Sequence, residues 1–120
     1  MQKMIVKKPW GTYEVLLDEP NYKVKRIVVH PYERFSLQYH KHREEHWVVV
    51  KGDGIVQVNE KEYPAYVRTH WVILPTQKHR ATAGPNGLVF IETQTGDCYE
   101  EDIVRLEDDY GRLDSSEVSV

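Results

Sequence analysis

The sequence lacks several features that would decide its class at once. It has a single cysteine, Cys98, so no disulfide can form within the chain and the fold must rest on packing, with or without a metal ion. No segment approaches the roughly 20 apolar residues that cross a bilayer. The N-terminus has no apolar run of signal-peptide length. We therefore expect a cytoplasmic protein that does not bind membranes.

An excess of positive charge is also missing. Sixteen Lys and Arg residues stand against nineteen Asp and Glu, which gives a formal net charge of −3 and an isoelectric point near 6.1. Proteins that bind nucleic acid neutralise phosphates with a basic stripe. Because this chain offers no such excess, we expect no nucleic-acid partner.

The chain does have a strong β pattern. Its 120 residues suffice for one ordinary domain. Short apolar or β-branched runs recur between Tyr13 and Val104, which is typical of a β-sandwich or a jelly-roll barrel. We predict one domain over residues 1–113 and a flexible tail over 114–120. The predicted strands are 13–17, 22–29, 33–38, 46–50, 55–58, 69–74, 80–83 and 88–93.

Turn-forming residues separate these runs, and one segment favours a helix. The breaks are expected at 52–54, 59–60, Pro64, Pro75 and 84–87, where Gly, Pro and Asn have turn chemistry. A short acidic helix is predicted around 106–110, ended by Gly111.

One segment concentrates residues that bind metals. Between Gln38 and His46 the chain places three His, two Glu and one Gln within nine residues. Alternate side chains of an extended segment share a face, so Gln38 and His40 project together. A turn after His40 can then bring Glu45 in from the next strand. Three nitrogen and oxygen donors would converge there.

A divalent ion of borderline softness accepts imidazole, carboxylate and amide oxygen, but three ligands need a fourth. His79 follows a predicted turn at Pro75 and is the natural candidate. His42 and His46 are alternatives: either could replace His40 or orient a ligand through its other ring nitrogen. The remaining two, His30 and His70, are expected to be structural or exposed.

These residues resemble two motifs of the cupin superfamily. Gln38-x-His40-x4-Glu45-x6-Gly52 is similar to the first cupin motif, and Pro75-x-x-x-His79 to the second, one residue shorter than usual. More specifically, the chain resembles the C-terminal phosphomannose isomerase domain of type II mannose-6-phosphate isomerase/mannose-1-phosphate guanylyltransferase proteins. The similar segments run in order with similar spacing over 9–14, 22–26, 37–50, 79–80, 91–96 and 101–112.

The resemblance implies a cupin double-stranded β-helix, which is a jelly-roll barrel, with one divalent metal ion. It supplies Gln38, His40, Glu45 and His79 as the ligands, in agreement with the residue pattern. Zinc is expected first, with manganese, iron, cobalt or nickel as alternatives. The implied reaction interconverts mannose 6-phosphate and fructose 6-phosphate. These 120 residues show no Gly-rich nucleotide loop, and we expect no nucleotidyltransferase domain, so guanylyltransferase activity is not expected.

An aldose–ketose isomerase also needs an acid/base and a phosphate site. Candidates for proton transfer are Glu92, on a late predicted strand, and His42 or His46. Guanidinium and ammonium groups bind phosphate. For Arg105 and Arg112, ion pairing within an acidic segment is an equally good explanation. The candidate cations are Arg43, Lys78, Arg80, Arg105 and Arg112.

Two other functions fit the same fold. One is a metal-free sugar-nucleotide isomerase or epimerase, against which the full ligand set argues. The other is a non-catalytic cupin that binds a sugar or a sugar phosphate. Since small jelly-roll domains pair through exposed sheet edges, we also predict a homodimer.

Overall fold

The computed structural model describes residues 4–112, and every regular element in that range is a β-strand. The all-β prediction is confirmed. The predicted tail at 114–120 lies outside the described residues. The strands are β1 (Met4–Lys8), β2 (Gly11–Glu19), β3 (Tyr22–Val29), β4 (Leu37–Tyr39), β5 (Arg43–Val58), β6 (Lys61–Tyr66), β7 (His70–Ile73), β8 (His79–Gly96) and β9 (Val104–Glu107).

Two long antiparallel strands, β5 and β8, form the centre of the fold. They pair with each other along nearly their whole length, from Arg43 opposite Gly96 to Val58 opposite His79. The other side of β8 pairs with β3 and, at its start, with β4, while β5 also pairs with β6 and β7. The result is one curled sheet whose inner face holds the core.

The predicted breaks at 52–54 and 84–87 are wrong, because β5 and β8 continue through them. The register shifts between Val49 and Lys51 and between Gly52 and Gly54, so bulges bend the strands without ending them. A Cβ at Gly52 would lie 2.1 Å from the Gly87 carbonyl oxygen, so only glycine permits the close approach of the two strands here.

Two other predicted features also differ. Pro64 lies inside β6, whose only strand partner among residues 4–112 is β5, and a proline without an N–H is tolerated on such an edge strand. The predicted helix at 106–110 is wrong: β9 (Val104–Glu107) pairs with β4, and a turn follows. A single helical turn is weak by itself, whereas the exposed edge of β4 offers backbone partners. Since the described range contains no helix, it contains none that could span a membrane.

The hydrophobic core contains several large aromatic residues. Trp10 and Trp47 each pack edge-on against Phe35, and Trp47 also packs against Phe90. Trp47 and Phe90 are fully buried. Trp10, Phe35 and Trp47 also line a cavity, so the core directly supports its walls.

Candidate functional site

The structure brings the four predicted metal ligands together at one end of the curled sheet. Gln38 on β4 pairs with His79, the first residue of β8. His40 follows β4, and the turn at 41–42 leads into β5, where Glu45 faces inward. One ligand atom each from His40, Glu45 and His79 lies within 4.8 Å of the others, and all three side chains are buried. The shorter spacing in the second motif therefore still delivers His79 to the cluster.

Hydrogen bonds orient both imidazoles. The Nδ1–H group of His40 donates to the Asp102 carbonyl oxygen at 2.5 Å, and that of His79 to the Gln77 carbonyl oxygen at 2.9 Å. Because a carbonyl only accepts, each Nε2 carries the free lone pair. Burial lowers the pKa of His40 to about 4 and also lowers the pKa of His79, so both rings are neutral at neutral pH.

Glu45 supplies the negative charge of the cluster. Its Oε1 accepts from Trp47 Nε1 and its Oε2 from Arg43 Nε, both at 2.9 Å. Burial acts to raise the pKa of Glu45, but His79, His40 and Arg43 outweigh it and hold the pKa at about 2. At neutral pH a carboxylate therefore faces two uncharged imidazoles.

This donor set fits a divalent metal ion. His79 Nε2 is buried and has no hydrogen-bond partner, although it lies 3.8 Å from Glu45 Oε1. An unsatisfied buried lone pair is costly unless something binds it. Two neutral imidazoles and a carboxylate are ligands that zinc and its neighbours accept. The His40, Glu45 and His79 group could therefore bind a metal ion.

Gln38 lies next to this group but turns its amide nitrogen toward it. Gln38 Nε2 lies 3.3 Å from His40 Nε2, while Gln38 Oε1 accepts from Ser36 Oγ at 2.6 Å. A half turn of the amide would present the oxygen to the cluster. Gln38 is thus placed to be the fourth ligand after this rotation.

A cavity of about 130 Å³ opens beside the cluster. Its walls include Gln38 and His40, and Glu92 lies on the same surface. Glu92 is buried and accepts a hydrogen bond from Gln94. Burial, together with the charge of Glu45, raises the pKa of Glu92 to about 7, against the opposing influence of Lys25 and Arg43. A carboxyl group that titrates near neutral pH suits proton transfer.

Cationic side chains line the same cavity. Lys25 is buried, donates to Glu100 at 2.5 Å and lies 4.0 Å above the Tyr13 ring. Burial, followed by the charges of Arg112 and Arg105, lowers the pKa of Lys8, which indicates that positive charges crowd this region. The lining cations are Lys8, Lys25, Arg43, Arg105 and Arg112.

Several predicted residues lie elsewhere. His42 and His46 are exposed and do not line this cavity, so the structure does not bring them to the proposed site of proton transfer. Lys78 bonds to Glu60 on the surface. Arg80 is buried but donates to the Phe35 carbonyl oxygen and to Glu107.

Three other expectations can be compared with the structure. Arg112 forms a two-pronged ion pair with Asp108, as the alternative explanation for this residue predicts, although it also lines the cavity. His30 and His70 are exposed, as expected.

The sequence argument missed Lys8, Lys25 and Asp102. A signal for Lys25 was present, because it alternates with the buried Ile27 and Val29 on β3 and must share their face. Asp102 was harder to find. Its carboxylate accepts from the backbone N–H groups of Lys41 and His42, so it fixes the turn between two ligands from sixty residues away.

Comparison with known proteins identifies the family of this chain. The family described as mannose-6-phosphate isomerase C-terminal matches residues 1–108. Mannose-1-phosphate guanylyltransferase of Klebsiella pneumoniae is 37% identical over 108 residues, covering 88% of this chain and 23% of that protein. Alginate biosynthesis protein AlgA of Pseudomonas aeruginosa is 41% identical over 109 residues, covering 89% and 23%. The chain thus spans about a quarter of the length of these curated relatives.

The fold has its own counterpart among solved structures. An RmlC-like cupin from Shewanella frigidimarina superposes with a TM-score of 0.75 at 20% identity, covering 83% of this chain and 88% of that one. The predicted cupin double-stranded β-helix is therefore confirmed. Together, the match over residues 1–108 and the shared fold show that the chain belongs to the family of the mannose-6-phosphate isomerase C-terminal domain.

Proposed function

We propose that this chain is a metal-dependent sugar-phosphate isomerase that interconverts mannose 6-phosphate and fructose 6-phosphate. One observation carries the proposal: a single cavity is lined by His40 of the buried ligand group, by a carboxyl group with a pKa near 7 and by a set of cations. An aldose–ketose isomerisation of a phosphorylated sugar requires a Lewis acid, a group that transfers protons and a site for the phosphate, and these three groups can supply them.

In this proposal Gln38, His40, Glu45 and His79 hold one divalent ion, zinc first among the candidates. When bound, such an ion supplies a Lewis acid that polarises the sugar carbonyl. The Nδ1–H bonds to the Asp102 and Gln77 carbonyl oxygens keep both imidazoles turned toward the cluster.

Glu92 is the proposed acid/base. In the open-chain aldose its carboxylate removes the proton from C2, which gives an enediol, and the resulting carboxylic acid returns a proton to C1 to give the ketose. The aldehyde oxygen gains a proton and the C2 hydroxyl loses one, so atoms and charge balance. Across the sheet, Glu92 pairs with Trp47 on one side and with Lys25 on the other. Proton transfer near neutral pH matches a pKa of about 7.

The substrate phosphate is assigned to the basic wall of the cavity. Lys8, Arg105 and Arg112 lie there, and mutual repulsion among them contributes to the lowered pKa of Lys8. A dianionic phosphate would relieve this repulsion, and guanidinium groups bind it with two parallel hydrogen bonds.

The test uses protein purified without chelators. Bound metal is measured by elemental analysis, and conversion of mannose 6-phosphate is followed before and after treatment with EDTA. We expect stoichiometric metal and turnover that EDTA and His40→Ala abolish. His46→Ala is the matched control, because His46 belongs to the same motif but faces solvent. Turnover that survives EDTA and His40→Ala would contradict the proposal.

A second candidate is a non-catalytic cupin that binds a sugar phosphate. One contact favours it. The Arg43 guanidinium already bonds to Glu45 and His40, two residues of the ligand group, so it is not free to act on a substrate. Stoichiometric metal and calorimetric binding of mannose 6-phosphate without turnover would support this candidate. Absence of metal would instead favour a metal-free isomerase or epimerase. The homodimer remains a prediction, and sedimentation of the 14.2 kDa chain tests it.

A further inference from the structure

Arg43 makes an unusual set of contacts with the ligand group. Its side chain is buried, and all three guanidinium nitrogens contact protein acceptors. Nε donates to Glu45 Oε2 at 2.9 Å, one terminal nitrogen lies 3.1 Å from His40 Nε2, and the other donates to the Tyr99 carbonyl oxygen at 3.1 Å. One cation therefore bridges two of the three residues that could bind a metal.

The contact with His40 excludes metal binding at the same atom. His40 Nδ1–H donates to the Asp102 carbonyl oxygen, so Nε2 is the acceptor and has a single lone pair. Arg43, at 3.1 Å, lies nearer to this nitrogen than the Gln38 amide, at 3.3 Å. The lone pair can accept an N–H of Arg43 or bind a metal ion, but it cannot do both. Glu45 differs, because its carboxylate has lone pairs to spare and can keep the Arg43 bond while it binds a metal.

Charge leads to the same conclusion. Arg43 is the cation that hydrogen-bonds to the buried Glu45 carboxylate, with its Nε lying 2.9 Å from Oε2. A buried carboxylate without a cation is strongly destabilising. A divalent ion would supply this charge itself, and it would then be repelled by the guanidinium beside it.

We propose that Arg43 is a stand-in for the metal ion. In the metal-free protein it neutralises Glu45 and occupies the lone pair of His40, and on metal binding it gives up His40 while it keeps Glu45 and Tyr99. Arg43 thereby stabilises the empty site and weakens metal affinity by competition. This inference rests on the metal site of the proposed function, and it makes Arg43 a positioning residue.

Zinc titration of the EDTA-treated full chain tests the proposal, with a competing chromophoric chelator to report the Kd. Arg43→Met removes the charge and keeps the length of the side chain. We expect it to bind zinc at least about tenfold more tightly than the unchanged protein. Its metal-free form should melt at a lower temperature, so the rise in Tm on adding zinc should be larger.

Two further variants keep the test decisive. Arg43→Lys keeps a positive charge for Glu45 but has no second nitrogen that can reach His40. It should bind zinc more tightly than the unchanged protein and less tightly than Arg43→Met. The comparison with the unchanged protein remains a test even if Arg43→Met does not fold. Arg80→Met is the matched control, because Arg80 is also buried but bonds to Phe35 and Glu107, away from the ligand group. It should lower Tm without tightening zinc binding.

The outcomes separate two failures. If the unchanged protein binds no zinc, the proposed metal site is wrong and this inference is wrong with it. If the unchanged protein binds zinc but Arg43→Met and Arg43→Lys bind it equally well or more weakly, the metal site stands and the stand-in role is overturned. Arg43 would then only support the geometry of the ligands.

Discussion

The two faces of β5 carry similar residue types, but one face is buried and the other is exposed. Its inner face presents Glu45 and Trp47 to the buried cluster, while its outer face presents Glu44 and His46 to solvent. On the inner face both oxygens of Glu45 are hydrogen-bonded and the exposed fraction of the residue is 2%. On the outer face His46 Nε2 lies 3.3 Å from Nδ1 of another exposed imidazole, His70.

The difference shows that residue type alone does not make a metal site. The outer pair has two imidazoles in contact, yet among residues 4–112 no carbonyl fixes their orientation and no buried lone pair lacks a partner there. In the inner pair, carbonyl oxygens orient the rings of His40 and His79, and the buried Nε2 of His79 has no hydrogen-bond partner. Burial and orienting hydrogen bonds, supplied by distant segments, therefore separate a candidate metal site from a surface contact.

The largest contrast is expected between Glu45→Gln and its neighbour Glu44→Gln. The first leaves the buried Arg43 cation without its carboxylate, which costs about 3 to 5 kcal/mol of unfolding free energy in the metal-free protein. The second removes an exposed charge and should change stability by less than about 0.5 kcal/mol. Urea denaturation measures both. Similar losses in the two variants would show that the inner cluster is not held by charge pairing.

Metal affinity should show the next contrast. His79→Ala removes a proposed ligand. Since loss of a residue that merely supports a ligand weakens metal binding by about 10- to 100-fold, we expect the zinc Kd to rise by more than about a hundredfold here. His46→Ala should leave the zinc Kd unchanged, because the ring lies on the outer face. Chelator competition gives both constants. Equal weakening in the two variants would place the metal outside the buried cluster.

Much of this contrast could be predicted from period two alone. The alternation that places Gln38 and His40 on one face also puts His46 on the opposite face to Glu45. Once Glu45 is assigned to the inner face, the strand pattern therefore excludes His46 from the ligand group. Lys25 follows from the same rule on β3. Local periodicity therefore suffices wherever a site residue lies on a regular strand.

The rest of the site depends on segments without periodicity. Asp102 and Glu100 lie in an irregular connection, and their contacts with the turn at 41–42 and with Lys25 join parts of the chain that are far apart in sequence. Glycine is also ambiguous in the sequence. The bends at 52–54 and 84–87, where the strands continue, contain the same residue types as turns that reverse the chain. The strand β9 (Val104–Glu107) forms because β4 leaves an edge to pair with.

A smaller effect concerns the pH dependence of stability through Glu92. Its pKa is about 7 in the folded protein and near 4.5 when unfolded, so folding favours the protonated form. Its contribution is fully present below pH 4.5 and is lost as the pH rises to 7. The Glu92 contribution to the unfolding free energy of the metal-free protein should therefore fall by on the order of 3 kcal/mol across this window, whereas His40 and His79, whose pKa values burial lowers, act in the opposite direction below about pH 6.5.

Urea denaturation at several pH values between 5 and 8 measures this slope, above the range in which Glu45 titrates. Glu92→Gln cannot ionise, so its unfolding free energy should rise relative to that of the unchanged protein as the pH increases, while Glu44→Gln on the outer face should keep the pH dependence of the unchanged protein. A difference in unfolding free energy between Glu92→Gln and the unchanged protein that stays constant with pH would remove the support for Glu92 as the acid/base.

The smallest effect is expected for the outer imidazole pair. His46→Ala and His70→Ala each remove an exposed side chain whose hydrogen bond competes with water, so stability should stay within about 0.5 kcal/mol of the unchanged protein. Zinc stoichiometry should also be the same with and without the pair. If instead the double variant loses one equivalent of bound zinc, two imidazoles on an exposed strand face suffice to bind metal. Burial would then not be what separates the two faces of β5.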